Sequence, residues 1–307
     1  MKKHFLILMC LACLAFSACE KAVFDDNNEE KPPKPDNWKG VELTFNIAKF
    51  EQTDFSSLPM GSRAASVGEV CDRINLAIYQ DGTRVTNVNQ KAGDSNFGQI
   101  SLTLSPGNYE LVVLAHSCDG NATTTNLNKL TFPSNKVTDT FYYYTTLNVS
   151  DKQEHDLTLR RAVAMVRFKI NDAMPDNVKR MKFYYTGGSS TFDAATGYGC
   201  VNSKQTEYRD VTAAMTAQPT QFEVYTLPHA ESGELKMTVQ ALDAADNVVK
   251  ELTLDKIPIT RNKITEYSGN FFGTQSGGEG GGESKSNTHE FAFEVDNEWS
   301  STESHGY

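Results

Sequence analysis

Val41-Glu-Leu-Thr-Phe-Asn-Ile47 sets an apolar side chain at every second position, Val41, Leu43, Phe45 and Ile47, with polar residues between them. Successive side chains of a strand point to opposite faces, so this period gives one apolar and one polar face, the mark of a half-buried β-strand. The same period returns at Ile74, Leu76 and Ile78, and at Ile100, Leu102 and Leu104. Asp81-Gly82 follows the first of these, and Pro106-Gly107-Asn108 precedes the apolar run Tyr109 to Ala115. Both are turn chemistry that joins neighbouring strands. Thr140 to Val149, with Phe141 and three consecutive tyrosines, completes a first all-β unit.

A second series follows at Val166, Phe168 and Ile170, then Met181, Phe183 and Tyr185, then Phe222 to Leu227, Leu235 to Ala241, Val248 to Leu254 and Ile264 to Phe272. No long segment carries a helical period. Many short strands with turn signals between them predict an all-β chain of two tandem β-sandwiches, over residues 41–155 and 156–273. The stretches Pro106-Gly-Asn-Tyr-Glu-Leu-Val-Val-Leu-Ala115 and Ser232-Gly-Glu-Leu-Lys-Met-Thr-Val-Gln-Ala241 echo one another and hint that the two units are related.

Outward from this body, residues 19–40 are acidic, polar and proline-bearing, a composition that stays unfolded and somewhat extended and reads as a stalk. Residues 1–18 read as an export signal: Lys2 and Lys3, then an apolar run from Phe5 to Ala18 that is too short for a membrane span of about 20 residues. Phe16-Ser17-Ala18-Cys19 has the small residues a lipoprotein peptidase needs before a cysteine, although Phe16 is bulkier than the usual leucine. Cys19 is the expected lipidation site, with two or three acyl chains giving a firm anchor. The acids Asp25, Asp26, Glu29 and Glu30 look like the tract that marks lipoproteins for the outer face in some Gram-negative bacteria. Loss of residues 1–18 removes two lysines and no acids, taking the formal net charge from −10 to −12. Such a surface argues against nucleic acid and anionic lipid as partners.

Cys10 and Cys13 lie in the signal and leave with it. Cys71 opens one strand-like segment and Cys118 closes another, so antiparallel pairing makes them a candidate disulfide in an oxidising compartment. Residues 274–307 hold a glycine- and serine-rich linker followed by Phe291, Phe293 and Val295, which alternate as a strand. A strand on a loose tether either folds back as the last strand of the second unit, which has the entropic advantage, or is donated to another molecule.

No sequence pattern for hydrolysis, phosphate binding, dinucleotide binding or zinc is present, so no catalytic residue, metal ligand or cofactor is assigned. His116, His155, His229, His289 and His305 are scattered and read as surface or turn residues, and Asp243, Asp246 and Asn247 read as a solvated turn, lacking the glycine and distal glutamate of a calcium loop. Tyr142, Tyr143 and Tyr144 offer a rival function as a sugar platform, but alternation lets only Tyr142 and Tyr144 share a face, and core or interface packing suits them better.

The opening of the second unit, Leu159-Arg-Arg-Ala-Val-Ala-Met-Val-Arg-Phe-Lys-Ile170 with Pro175 after it, together with Thr196-Gly-Tyr-Gly199 and Ile257-Pro-Ile-Thr-Arg-Asn-Lys-Ile-Thr-Glu-Tyr-Ser-Gly269, resembles the fimbrial anchor family typified by FimB and the minor-fimbrium anchor subunit of type V pili. The resemblance runs from about Val41 to Phe272. It implies two transthyretin-like sandwiches, a lipid anchor in the cell outer membrane with surface exposure, and attachment of a fimbrium whose length it helps to limit. Its partners would be shaft pilins joined through β-strands. Shaft subunits of that kind lose their first strand to an arginine protease; Arg160-Arg161 is not assigned as such a site, because it lies at a predicted strand edge and a cut there would release the anchor. The glycine-rich tail departs from the family's simpler picture. The alternative function is a glycan-binding surface lipoprotein of a nutrient-uptake system.

Overall fold

The first series of strands is β1 (Val41–Phe50), β2 (Arg73–Gln80), β3 (Thr83–Lys91), β4 (Gln99–Leu104), β5 (Gly107–His116), β6 (Leu130–Thr131), β7 (Thr140–Val149) and β8 (Gln153–Arg161), with one short helix, α1 (Val67–Val70), before β2. The computed structural model describes residues 40–51, 67–216, 219–273 and 294–295, the last two for their backbone. β1 lies between β4, antiparallel, and β8, parallel. β2 pairs antiparallel with β3 and β5, and β5 pairs with β7. β7 meets β8 at Phe141–Arg161 and Tyr142–Arg160, and there the seven-stranded sheet turns over on itself. Its two halves close on Leu43, Phe45, Ile74, Leu76, Val113 and Phe141, all buried. Each such side chain contributes about 1.5–3 kcal/mol when taken fully from water.

The second series is β9 (Ala164–Ile170), β10 (Arg180–Thr186), β11 (Thr191–Asp193), β12 (Tyr198–Gly199), β13 (Gln205–Asp210), β14 (Thr220–Thr226), β15 (Ser232–Leu242), β16 (Val248–Thr260) and β17 (Ile264–Gly269), with β18 (Glu294–Val295) beyond. β9 lies between β14, antiparallel, and β17, parallel. β10 pairs antiparallel with β13 and β15, and β15 with β16. The two sheets enclose Val166, Phe168, Phe183, Met237, Val239 and Tyr267. This is the strand plan of the first body repeated, and β5 and β15, the two segments whose sequences echo one another, occupy the same place in it.

The alternating pattern predicts half-buried strands, but β2 and β5 are buried on both faces. Their outward side chains, Ala77, Tyr79, Val112 and Leu114, form a third core with Leu127, Leu130 and Phe132 of the excursion after β5 and with Val163, Phe192 and Leu227 of the second body. β6 pairs with β11, which stitches that excursion to the second body. The described residues from Gly40 onward accordingly form one compact unit. The boundary expected at residues 155/156 would cut β8, whose Leu157 and Leu159 belong to the first core. We place the change of body after Arg161, where Ala162 and Val163 enter the shared core.

Candidate assembly site

β17 is held along its whole length by β9, from Ile264 opposite Met165 to Gly269 opposite Ile170. On its other edge Tyr267 pairs with Val295 and Ser268 with Glu294. Val295 of the C-terminal segment thus lies in the pairing, while Phe291 and Phe293 are outside the described residues. Among the described residues, the core of the second body is drawn from residues 164–271. Beneath the end of β17, Asp172 accepts the backbone N–H groups of Phe271, Phe272 and Gly273 at 2.7–3.0 Å, which fixes where the tail departs.

At the joint between the bodies, Arg161 is buried and its guanidinium donates to both carboxylate oxygens of Asp139, at 2.8 and 3.0 Å, and to Asn262 Oδ1 at 3.0 Å. The same group lies over the Phe141 ring, 4.5 Å from its centre. Arg261 donates to Glu231 at 3.0 Å, to Glu51 at 3.3 Å and to the Arg161 carbonyl at 3.0 Å. Charges taken from water need such complete pairing. Arg160-Arg161 therefore lies in a paired strand with Arg161 engaged on every side, which suits a joint and not an exposed cleavage loop.

Cys71 and Cys118 are free thiols, so the expected disulfide is not formed. The strand ends are neighbours, Asp72 N–H donating to the His116 carbonyl at 3.1 Å, but the two thiols face opposite sides of the sheet. Cys71 packs into the first core, where burial pushes its pKa up to about 12, and Cys118 sits in the shared core with its thiol against the Lys136 carbonyl at 3.2 Å. Cys200 is the third free thiol and is exposed. Cys19 lies outside the described residues.

His116 corrects the reading of a surface histidine, for its side chain is wholly buried. Cys118 N–H donates to Nδ1 at 3.1 Å, which leaves the ring proton on Nε2, 2.7 Å from Asn75 Oδ1. Asn75 also accepts Ala122 N–H at 3.0 Å and donates to Asn89 and Asn121. The network pins the excursion after β5, and burial followed by the Arg73 charge lowers the His116 pKa to about 4.

The three tyrosines alternate as their strand requires. Tyr143 packs on the first core, while Tyr142 and Tyr144 pack on the shared core. Tyr142 stacks edge-on against Phe192, with ring centres 4.9 Å apart, and its hydroxyl fills the space a Cβ on Gly197 would need. Tyr144 donates to Glu110 at 2.7 Å, which raises its pKa to about 12. Both rings are half-buried against the shared core, the packing role the alternation favours. At Asp243 the carboxylate accepts the N–H groups of Ala245 and Asn247 and the Asn247 amide, at 2.8–3.0 Å, a turn closed upon itself. Among the described residues no cluster of His, Cys, Asp and Glu is placed to hold a metal ion, and no helix is long and apolar enough to cross a membrane.

This geometry defines an all-β protein of two sandwiches fused through a shared core, with strand edges and packed joints as its recognisable chemistry. The chain belongs to the family of unknown function DUF6562, whose model matches residues 36–303. Among solved structures it is similar to a candidate adhesin from Bacteroides ovatus, at 10% identity and a TM-score of 0.50 over 76% of this chain and 90% of that one. It is similar also to a second candidate adhesin, from Bacteroides ovatus ATCC 8483, at 12% identity and 0.48 over 72% and 84%, and to the fimbrial anchor protein Mfa2 from Porphyromonas gingivalis, at 11% and 0.42 over 76% and 91%. Identities this low speak to the fold alone. No curated protein matches the sequence.

Proposed function

We propose that the protein is a noncatalytic, surface-exposed lipoprotein that anchors or caps a fimbrium, of the FimB-like anchor type, held in the outer membrane through acylated Cys19 and joined to a shaft pilin by β-strand addition. The observation that carries this reading is the pairing of Glu294–Val295 on the outer edge of β17. The strand pairs along the outer edge of the sheet, so a neighbour's strand can take its place or the tail can reach a neighbour's edge. Main-chain hydrogen bonds supply affinity in such a joint and alternate side chains supply register. Phe291, Phe293 and Val295 would each add about 1.5–3 kcal/mol on burial, before the entropy of ordering the tail. The lipobox-like leader, the acidic stalk and the fold shared with a candidate adhesin support the same reading. The fused joint at Arg161 suits a coupling that bears load between membrane and shaft.

The test has two arms. Labelled palmitate should enter the wild type and not Cys19→Ala, and deletion of residues 286–307 should release fimbriae from cells while leaving the membrane level of the protein unchanged. Label in Cys19→Ala refutes the anchor; normal fimbrial attachment after the deletion refutes the tail as the joint.

A further inference from the structure

The outer face of the sheet β13-β10-β15-β16 carries the two most exposed tyrosines among the described residues, Tyr184 at 38% and Tyr208 at 46%. They sit on adjacent strands. Lys182 is directly opposite Tyr208 and Tyr184 is opposite Thr206, so the two tyrosines occupy diagonal positions of the sheet, about 7–8 Å apart along the backbone. Tyr208 is held in place: the Arg180 guanidinium lies 4.7 Å from its ring centre and is itself paired with Asp246. One face of that ring is thus taken by the cation, and the rest of it stands open. On the other flank Gln240 is opposite Lys182 and Thr238 is opposite Tyr184, followed outward by Glu251 and Thr253. Glu251 is engaged by the Gln240 amide and Thr253 by the Thr238 hydroxyl. Lys182 makes none of the ion pairs formed among the described residues, whereas Lys236 on the same face is paired with Asp255.

We propose that this face binds an anionic glycan, a chain of pyranose rings bearing carboxylate or sulfate groups. The rings of Tyr184 and Tyr208 supply flat apolar surface with a polar tip, as the C–H face of a sugar requires. Lys182, standing between them and in none of the ion pairs formed among the described residues, supplies the complement to the ligand's charge, and Gln240 and the threonines border it with amide and hydroxyl groups. A protein partner fits less well, because a stable interface covers about 800 Å² on each side around an apolar core, and here the two rings are the apolar surface on offer. Generic attraction to polyanions is not the explanation, since the chain is acidic overall, with a formal net charge of −10.

The test uses the full-length protein in detergent, run through native gels containing polygalacturonate, dextran sulfate or neutral dextran. Polygalacturonate or dextran sulfate should retard it, and whichever does so assigns the charged group. The double variant Tyr184→Ala/Tyr208→Ala, folded by circular dichroism because both side chains are exposed, should bind at least tenfold more weakly. Lys182→Ala should lose the preference for charged over neutral polymer. Failure of both charged polymers to retard the wild type, equal retardation of the double variant, or retention by dextran as strong as by the charged polymers would each overturn the proposal. None of these results depends on whether the tail joins a pilin.

Discussion

Acid should unfold this protein through His116. The ring is buried as the neutral form, with Nδ1 accepting from Cys118 N–H and Nε2 donating to Asn75, so a second ring proton has no acceptor and breaks the first of these bonds. The folded-state pKa of about 4 lies below the 6.5 of the unfolded chain, so the stabilising preference for neutral His116 is complete above pH 6.5 and disappears as pH falls to 4. The loss amounts to about 3 kcal/mol below pH 4, a large part of a typical domain's stability. The assay is urea unfolding followed by circular dichroism at pH 7.5, 6, 5 and 4, on the wild type and on His116→Gln, whose amide accepts and donates but does not titrate in this range. Carboxylates titrate alike in both proteins, so the difference between the two pH profiles isolates the imidazole. The wild type should lose about 3 kcal/mol more than the variant over this range; parallel profiles would refute the assignment of the acid limb to His116.

Removing Arg161 while leaving the partly buried Asp139 unpaired should cost about 3 kcal/mol, read as a fall in denaturation midpoint, and Arg161→Met with Asp139→Asn should recover part of it. Phe192→Ala, in the shared core, should cost about 3–5 kcal/mol and loosen both bodies together, so calorimetry should still give one transition; two separate transitions in the wild type would contradict the shared core. Iodoacetamide at pH 8 should label Cys200 in the native protein well before Cys71 or Cys118, and all three should react once the chain is unfolded without reductant. Gly197→Ala should destabilise, since φ there is 78° and a Cβ would lie 2.2 Å from the Tyr142 hydroxyl; Tyr142→Phe in the same chain should relieve only part of the contact, because the ring carbon Cζ stays 2.9 Å away, and none of the strain.

Strands whose inward positions are all apolar were legible from spacing: β1, β4, β9, β10, β14 and β15 stand where the period of two put them. The Asp81-Gly82 turn was legible as well, both residues taking the positive φ of a two-residue hairpin, 53° and 75°. β3 was hidden because its pairing slips between Ile78 and Tyr79, leaving Val85 unpaired as an extra, exposed residue and throwing the apolar period out of phase. β13 was hidden for another reason, a charged residue turned inward: Glu207 is buried and accepts the Tyr185 hydroxyl at 2.8 Å and the Arg209 guanidinium. The shared core has no local signature at all. Its members come from both halves of the sequence, and no spacing within either half marks Tyr79 or Leu130 as facing a distant Phe192. The same holds for the Tyr184 and Tyr208 face, whose residues stand 24 positions apart in the chain and meet only through strand pairing.

In each body a parallel rung joins the first strand to one far along the chain, β1 to β8 and β9 to β17. Neither sandwich can finish until its whole stretch of chain is free to fold. Pairings so distant along the sequence form slowly, and an unfinished body exposes open strand edges while it waits. A nascent copy would therefore spend its most vulnerable interval with its strand edges unsealed, and a chaperone that covers such edges should matter more to its yield than the stability it has once complete.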